Sequence, residues 1–411
     1  MKFGHERSSL LGLVKRDGDG INVRSSLWTL RNLFLFTGLS GGIFSPYLSL
    51  LLAKDGLSST SIGIVMAVGT LVTIIAQPFW GILVDKYQVV RLTLVLSTVV
   101  PGFLAAFYDS PTLWILLFAT ILSNVVMTPN VPVMNAYAVM AARESGSTFG
   151  WIRLFGSIGY AIAGYLGGMF VQHFSMQNLW FLFALFSLIG GVFAFRLPKA
   201  TVGVAVSGSI RAGVGELLRS RRFLLFLAGT FLISQTLTAY TTYFVLAFQS
   251  IGGSVSESGI AFMLSSATNV PAMMLANRVS KRLGRGNTML LSAIAYALRW
   301  AVQAAFPIPW VAIAVQALHG ISFGFFYIAA VEYVAESTRV DLQNTGQSLF
   351  NMASGGIAGI VGNALNGYLL HVGGNAWMYG ACAASAGLGA VCLFGSGLTT
   401  SLRMNKMVDK V

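Results

Sequence analysis

The stretch Gly81-Ile-Leu-Val-Asp85-Lys86-Tyr-Gln-Val-Val-Arg91 decides the architecture. It is short and charged, and an apolar run flanks it on each side, residues 60–84 before and 91–108 after. A membrane-spanning helix needs ~20 apolar residues, so the stretch reads as a tight turn between two spans. Outward from it the pattern repeats over 28–53, 112–140, 149–172, 178–197, 223–250, 257–280, 287–306, 309–334, 342–370 and 375–397. That makes twelve runs. In lipid each backbone polar group must be paired within its own segment or bundle, so the runs read as helices. A β-barrel would need alternating segments of ~10 residues, and none of these runs alternates. Composition agrees. The chain is 55% hydrophobic and 9% charged, with mean hydropathy +0.74, whereas a soluble domain carries about 25% charged residues.

The net charge of +13 would suggest nucleic acid in a soluble chain. Here the cations sit in short loops, which points to no nucleic-acid partner. Lys86, Arg91, Arg143, Arg196, Lys281, Arg282, Arg285 and Arg339 share one side with the basic termini, and Lys54 stands alone on the other. The excess of Lys and Arg in cytoplasmic loops then predicts a multi-pass protein of the plasma membrane with both termini cytoplasmic. Apolar density drops between 198 and 222, where Ser207, Gly208 and Ser209 precede a basic run to Arg222. The expected layout is a tail over 1–26, a six-helix bundle over 27–197, a linker over 198–222, a second bundle over 223–397 and a tail over 398–411. Cys382 and Cys392 lie ten residues apart in the last run, too far along one helix to join.

Two cations lie inside apolar runs: Arg153 and Arg299. A charge in hydrocarbon costs about 2.5–3.5 kcal/mol on insertion scales, so both point to a polar interior. His319 adds a titratable group in the tenth run, and Glu332 is the nearest acid to it, near that run's end. Pro129 and Pro132 around Asn130, and Asn269 before Pro271, predict breaks in the fourth and eighth helices. Glycines at 156, 159, 164, 167 and 168, and at 355, 356, 359 and 362, suit close helix packing.

The 81–91 stretch, in its place after the second run, resembles the signature loop of the major facilitator superfamily. Its usual Gly and Arg between Asp85 and Arg91 are missing. The matching loop of the second half, Asn277 to Arg285, keeps its basics but has Lys281 where an acid would stand. The resemblance implies a conformational gate at Gly81, Asp85, Lys86 and Arg91, with glycine permitting close helix approach. The segment Phe149-Gly-Trp-Ile-Arg153-Leu-Phe-Gly156-Ser157-Ile-Gly159-Tyr160 is similar to the phenylpropionate-permease-like and lactose-permease-like group. Within it, Arg153 would bind substrate and Tyr160 would pack against it. Gln316-Ala-Leu-His319-Gly-Ile-Ser322, with Arg299, resembles the same group, where such an Arg and His serve proton coupling.

These likenesses imply two rocking bundles around a central site, and a monomeric carrier of a small solute with protons as the coupling partner and no cofactor. The expected substrate-binding set is Arg153, Asn135, Tyr160, Tyr240, Arg299 and Trp300, with His319 and Glu332 for protons. Phe36, Phe44 and Phe323 are further candidates for aromatic walls. Asn135 and Ser322 stand where lactose-permease-like carriers have a sugar-binding and a coupling acid. With two cations and no buried acid, an organic carboxylate is the expected substrate; sugars, nucleosides and drug efflux are the alternatives. No constellation of catalytic or metal-ligating residues suggests an enzyme.

Overall fold

The computed structural model describes residues 23–198, 210–338 and 342–397. Most of the expected tails, linker residues 199–209 and Arg339 lie outside the described residues. Those described form helices and turns without a strand.

The first half holds six spans. These are α1 (Val23–Phe44, prolonged by Ser45–Tyr47 and Leu48–Lys54), α2 (Ser59–Tyr87), α3 (Val90–Leu104, with Ala105–Asp109), α4 (Leu113–Met127 and Asn130–Ser145), α5 (Phe149–His173) and α6 (Leu179–Arg196). The second half begins with α7 in pieces (Arg221–Ser234, Gln235–Leu237, Thr238–Thr241 and Phe244–Ser250). It continues through α8 (Val255–Leu283), α9 (Arg285–Ala305), α10 (Pro309–Ala314 onward to Phe326–Ser337), α11 (343–373) and α12 (375–395). A short amphipathic helix, Ile210–Arg219, leads into α7.

Ten helices among the described residues are long and apolar enough to cross a membrane. The last of them, Thr345–Gly395, counts twice. Gly374 sits inside it at φ 64°, ψ −160°, and Cys382 Sγ lies 3.3 Å from Asn366 Oδ1. In a straight helix those two residues would stand about 24 Å apart, so the chain reverses at Gly374. α9 is the twelfth span, diluted by Arg285, Arg299 and Gln303. Among the described residues the protein is therefore an all-α membrane protein with twelve membrane-spanning helices in two bundles of six.

Hydroxyls start many of these helices. Ser58, Thr148, Ser220 and Ser254 each accept from a backbone N–H in the first turn of α2, α5, α7 and α8. Such caps satisfy groups that the helix leaves unpaired. The expected break at Pro129 divides α4, but α8 runs unbroken through Pro271. Proline is tolerated in a membrane helix when neighbours hold the freed turn. Here α10 presses on that turn, and a Cβ at Gly324 would lie 2.8 Å from Asn269 Oδ1.

The halves meet along two seams, α5 against α8 and α2 against α11. A side chain at Gly168 would lie 2.7 Å from the Val255 carbonyl, and one at Gly63 would lie 2.5 Å from that of Asn363. Both positions are near the α1–α2 and α7–α8 turns, the end opposite the basic loops. One apolar core joins both halves, through Tyr47, Ile62, Tyr243 and Phe262. The other, around Leu30, Val84, Tyr137, Ile152 and Leu197, belongs to the first half alone.

Candidate functional site

The breaks in α4 and α7 build a central cavity. At the α4 break, Asn130 donates to Ser97 Oγ (3.1 Å) and Thr98 Oγ1 (2.8 Å) on α3. Thr73 on α2 donates to Asn124 Oδ1 at 3.2 Å. At the α7 break, Asn366 donates to Thr238 Oγ1 (2.8 Å) and to the Gln235 carbonyl (3.3 Å), and Thr242 donates to Asn363 Oδ1 at 2.8 Å. The freed turns are thus tied to α3 and α11. Between them lies a cavity of about 470 Å³ walled by Thr37, Ser40, Thr70, Ser123, Asn124 and Asn130, among others. Thr241, Thr242 and Asn363 close it from the second half.

A second cavity of about 220 Å³ lies on the other side of Thr241, which lines both. Its walls include Tyr160, Tyr240, His319 and Phe323, with Ser157, Ser265, Ser266 and Asn269 as polar members. Neither cavity has an Asp, Glu, Lys or Arg among its described lining residues.

Behind the second cavity sits Arg299, with 0% of its surface exposed. One amino group of its guanidinium donates to Gln316 Oε1, and the other lies 2.9 Å from His319 Nδ1. Its Cζ lies 4.7 Å from the ring centroids of both Tyr240 and Trp300, within cation–π range. Arginine only donates, so Nδ1 of His319 accepts and the ring proton sits on Nε2. The backbone on either side of His319 departs from α geometry. A 3₁₀ turn precedes it and a π-helical turn, Gly320–Phe325, follows. Inserted turns of this kind mark functional positions in many helices.

The structure therefore gathers Tyr240, Arg299, Trp300 and His319 into one cluster, with Tyr160 across the small cavity. Arg299 and Trp300, both expected in the substrate-binding set, line neither cavity. Gln316 and His319 occupy the arginine, and Trp300 is stacked on Tyr379 and donates to Thr236 Oγ1 at 2.9 Å. Arg153 also departs from expectation. It is exposed on α5, 6.0 Å from the Phe149 ring, and lines neither cavity. Its place in the second turn of α5 explains this, since a long side chain there reaches past the apolar surface. Asn135 is half-buried on α4 and lines neither cavity; its neighbour in sequence, Asn130, does. Glu332 is paired with Arg285 at 3.1 Å and is 27% exposed, so it is not part of the His319 cluster. Of the aromatic candidates, Phe44 lines the large cavity, while Phe36 is stacked on Phe193.

At the gate, a Cβ on Gly81 would meet nothing within 4 Å, so the expected close approach is not made here. The Asp85 side chain lies outside the described residues. Lys86 sits 5.2 Å over the Tyr87 ring, and Arg91 sits 5.1 Å over that of Phe195. Gln88 adopts φ 52° at the end of α2, a left-handed conformation that glycine adopts more cheaply. One cation escaped the sequence reading. Arg31 lies half-buried in α1, 5.7 Å from the Phe155 ring, and its Nε has no hydrogen-bond partner. Its position inside the 28–53 run was the available signal.

Two helical bundles around a neutral polar cavity, with a buried Arg–His pair, define a membrane carrier. The chain belongs to the MFS_1 like family, whose family model matches residues 27–381. It is 30% identical to the maltose permease of Geobacillus stearothermophilus over 88% of this chain and 91% of that one. It is 29% identical to the uncharacterized transporter YwbF of Bacillus subtilis, over 85% and 88%. Among solved structures it is similar to the nucleoside transporter NupG. The TM-score is 0.77 at 19% identity, over 93% of this chain and all of that one. The protein is a transporter of small molecules, not an enzyme.

Proposed function

We propose that this transporter carries a small, neutral, polyhydroxylated solute by alternating access, coupled to protons through His319. One observation carries the reading. The 470 Å³ cavity is walled by hydroxyls and amides, with no formal charge among its described lining. Ligand sites commonly span about 300–1,000 Å³, so the cavity suits a saccharide or a nucleoside. Every hydroxyl of such a solute must find a partner when it leaves water, and this wall offers many. The maltose permease among the relatives fits the same class.

The organic carboxylate expected from the sequence rests on Arg153 and Arg299. The first lies outside the cavities and the second is held by Gln316 and His319. A carboxylate among neutral hydroxyls would be left uncompensated, at a high cost. The deciding experiment is uptake into proteoliposomes containing the purified chain, across disaccharides, nucleosides and aromatic carboxylates. Uptake of neutral solutes is expected; uptake of carboxylates alone would overturn the reading.

The Arg299–His319 contact supports the coupling. A proton on Nδ1 of His319 would displace the arginine, because two adjacent cations repel strongly in a low-dielectric interior. Protonation and the Arg299 contact thus exclude each other, giving His319 two discrete arrangements. Carrying one proton with a neutral solute moves one charge, worth about 2.3 kcal/mol per 100 mV of membrane potential. Alkalinisation of a weakly buffered external medium on substrate addition is expected, and its loss in His319→Gln checks the role.

The wider arrangement belongs to the same proposal. The bundles take 27–197 and 223–397, the stretch 198–222 tethers them on the cytoplasmic side with both termini, and the monomer resides in the plasma membrane. With the basic loops cytoplasmic, the present arrangement, joined at the opposite end, is the inward-facing one. Asp85, Lys86 and Arg91 then act when that cytoplasmic side closes.

A further inference from the structure

We propose that Tyr47 and Tyr243 are twin positioning residues for transport: one hydroxyl in each half helps hold the joined end of the carrier shut. This inference rests on the alternating-access reading above and deepens it.

The sequence carries the signal twice. The pattern Tyr-x8-Gly-x-Ser-x4-Gly runs from Tyr47 through Gly56 and Ser58 to Gly63, and again from Tyr243 through Gly252 and Ser254 to Gly259. Each copy joins the first helix of a half to the second. The structure repeats with it. Tyr47 and Tyr243 each precede a seven-residue helical piece, Leu48–Lys54 and Phe244–Ser250. Gly56 and Gly252 then turn the chain at φ 92° and 88°, and Ser58 and Ser254 cap the next helix.

Both tyrosines are 0% exposed, and their hydroxyls make equivalent bonds. Tyr47 donates to the carbonyl of Gly164 on α5. Tyr243 donates to that of Asn363 on α11 at 2.6 Å. Both carbonyls face the other half. A Cβ on Gly259 of α8 would lie 3.0 Å from the first, and one on Gly63 of α2 would lie 2.5 Å from the second. One turn further along each seam helix the pattern recurs. A Cβ on Gly168 would meet Tyr47 Oη at 3.0 Å and the Val255 carbonyl of the other half at 2.7 Å. One on Gly367 would meet Tyr243 Oη and the Ser59 carbonyl of the other half. Each hydroxyl therefore sits where a seam helix touches the opposite bundle. The Tyr47 ring also stands edge-on to Phe262 of α8, at 6.1 Å and 81°.

The consequence is a bias on pose. Each bond lies within one half, so parting the halves does not break it. What changes is the surroundings. In the joined seam nothing else can donate to the carbonyl in the hydroxyl's place, and its removal leaves a void in close packing. In a parted seam water supplies both the donor and the volume. The hydroxyl thus stabilises the joined pose over the parted one, and such a differential contact is what shifts an equilibrium. The repeat sets one contact on each seam, and rigid halves part at both seams together.

The test uses the full purified chain in nanodiscs and a membrane-impermeant maleimide. Thr60→Cys reports on one seam and Ser256→Cys on the other. Native Cys382, buried in the second half, and Ala194→Cys, at a buried position of the first, report loosening of the fold. Tyr47→Phe and Tyr243→Phe are each expected to raise labelling at both 60 and 256. The expected rise is about 2–10-fold, the equilibrium ratio for one net hydrogen bond, and the double variant should exceed either. Labelling at 194 and 382 should not rise. No rise at 60 and 256, a rise confined to the variant's own seam, or an equal rise at 194 and 382 would each overturn the inference. Gly168→Leu, which wedges the same end, separates the two levels. If it raises labelling where the tyrosine variants do not, the inference falls alone. If it too changes nothing, the alternating-access reading falls with it.

Discussion

Arg299 shows how one side chain can organise a site without lining it. Its donors tie α9 to Gln316 and His319 of α10, and its face lies between Tyr240 and Trp300. Lysine carries the same charge but not the planar fork, so Arg299→Lys should leave His319 or Gln316 unpaired. Uptake is expected to fall by at least ~10-fold, and thermal unfolding should register a loss of about 1.5–3 kcal/mol, the range for hydrogen bonds to a charged group. The sequence made this cluster partly legible. Arg299 and His319 stood out because charge and imidazole are rare in apolar runs. The hydroxyls did not stand out. Thr70 donates back to the carbonyl four residues earlier, at 3.0 Å. A threonine can satisfy itself that way on any face of a helix, so its presence does not tell cavity from packing. Arg153 is read with difficulty for the opposite reason: about one turn from the start of α5, an apolar surround in sequence is compatible with an exposed guanidinium in space.

At the scale of helices, the breaks matter most, and they were unevenly predictable. Pro129 divides α4, and the carbonyl its missing N–H leaves free, that of Val125, accepts from Trp80 Nε1 of α2 at 2.6 Å. Pro271 leaves α8 whole. The break in α7 has no proline at all; it is held open by Asn363 and Asn366 of α11, more than a hundred residues away. Local sequence could not reveal a bend whose partners are so remote. Asn366→Ala should therefore destabilise the α7 turn by about 0.6–1.7 kcal/mol, the measured span for interhelical hydrogen bonds in membranes, with a matching drop in melting temperature. Gly374 occupies a backbone region open almost only to glycine, where strain amounts to about 1–3 kcal/mol. Gly374→Ala is expected to cost that much and to lower the melting temperature by several degrees. Between α9 and α10, Arg285 bridges Glu332 and Glu336 at 3.1 and 2.5 Å on a half-exposed surface. Exposed pairs contribute about 0–1 kcal/mol, so Arg285→Ala should change stability little. If Glu332 has no part in coupling, Glu332→Gln should retain solute-driven pH changes; their loss would restore it as a proton carrier.

For the whole molecule, the two-bundle plan was readable from run lengths and loop charges, whereas the relative pose of the bundles was not. That pose depends on which end of each seam is packed, and the same glycines could serve a seam closed at either end. At Gly168 the present seam admits no side chain without moving Val255. Gly168→Leu should accordingly wedge this end apart and favour the opposite pose, read as increased labelling of a cysteine introduced at Ser256.

The seam has a further property. The ion pairs found among the described residues, Arg285 with Glu332 and Glu336, both lie within the second bundle. Among the described residues, what joins the halves is backbone against glycine and ring against ring. Dissolved salt screens charges over about 8–10 Å but leaves such contacts nearly untouched. The balance between the two poses should thus be indifferent to ionic strength, a useful trait in a membrane protein whose two faces meet solutions of different salinity.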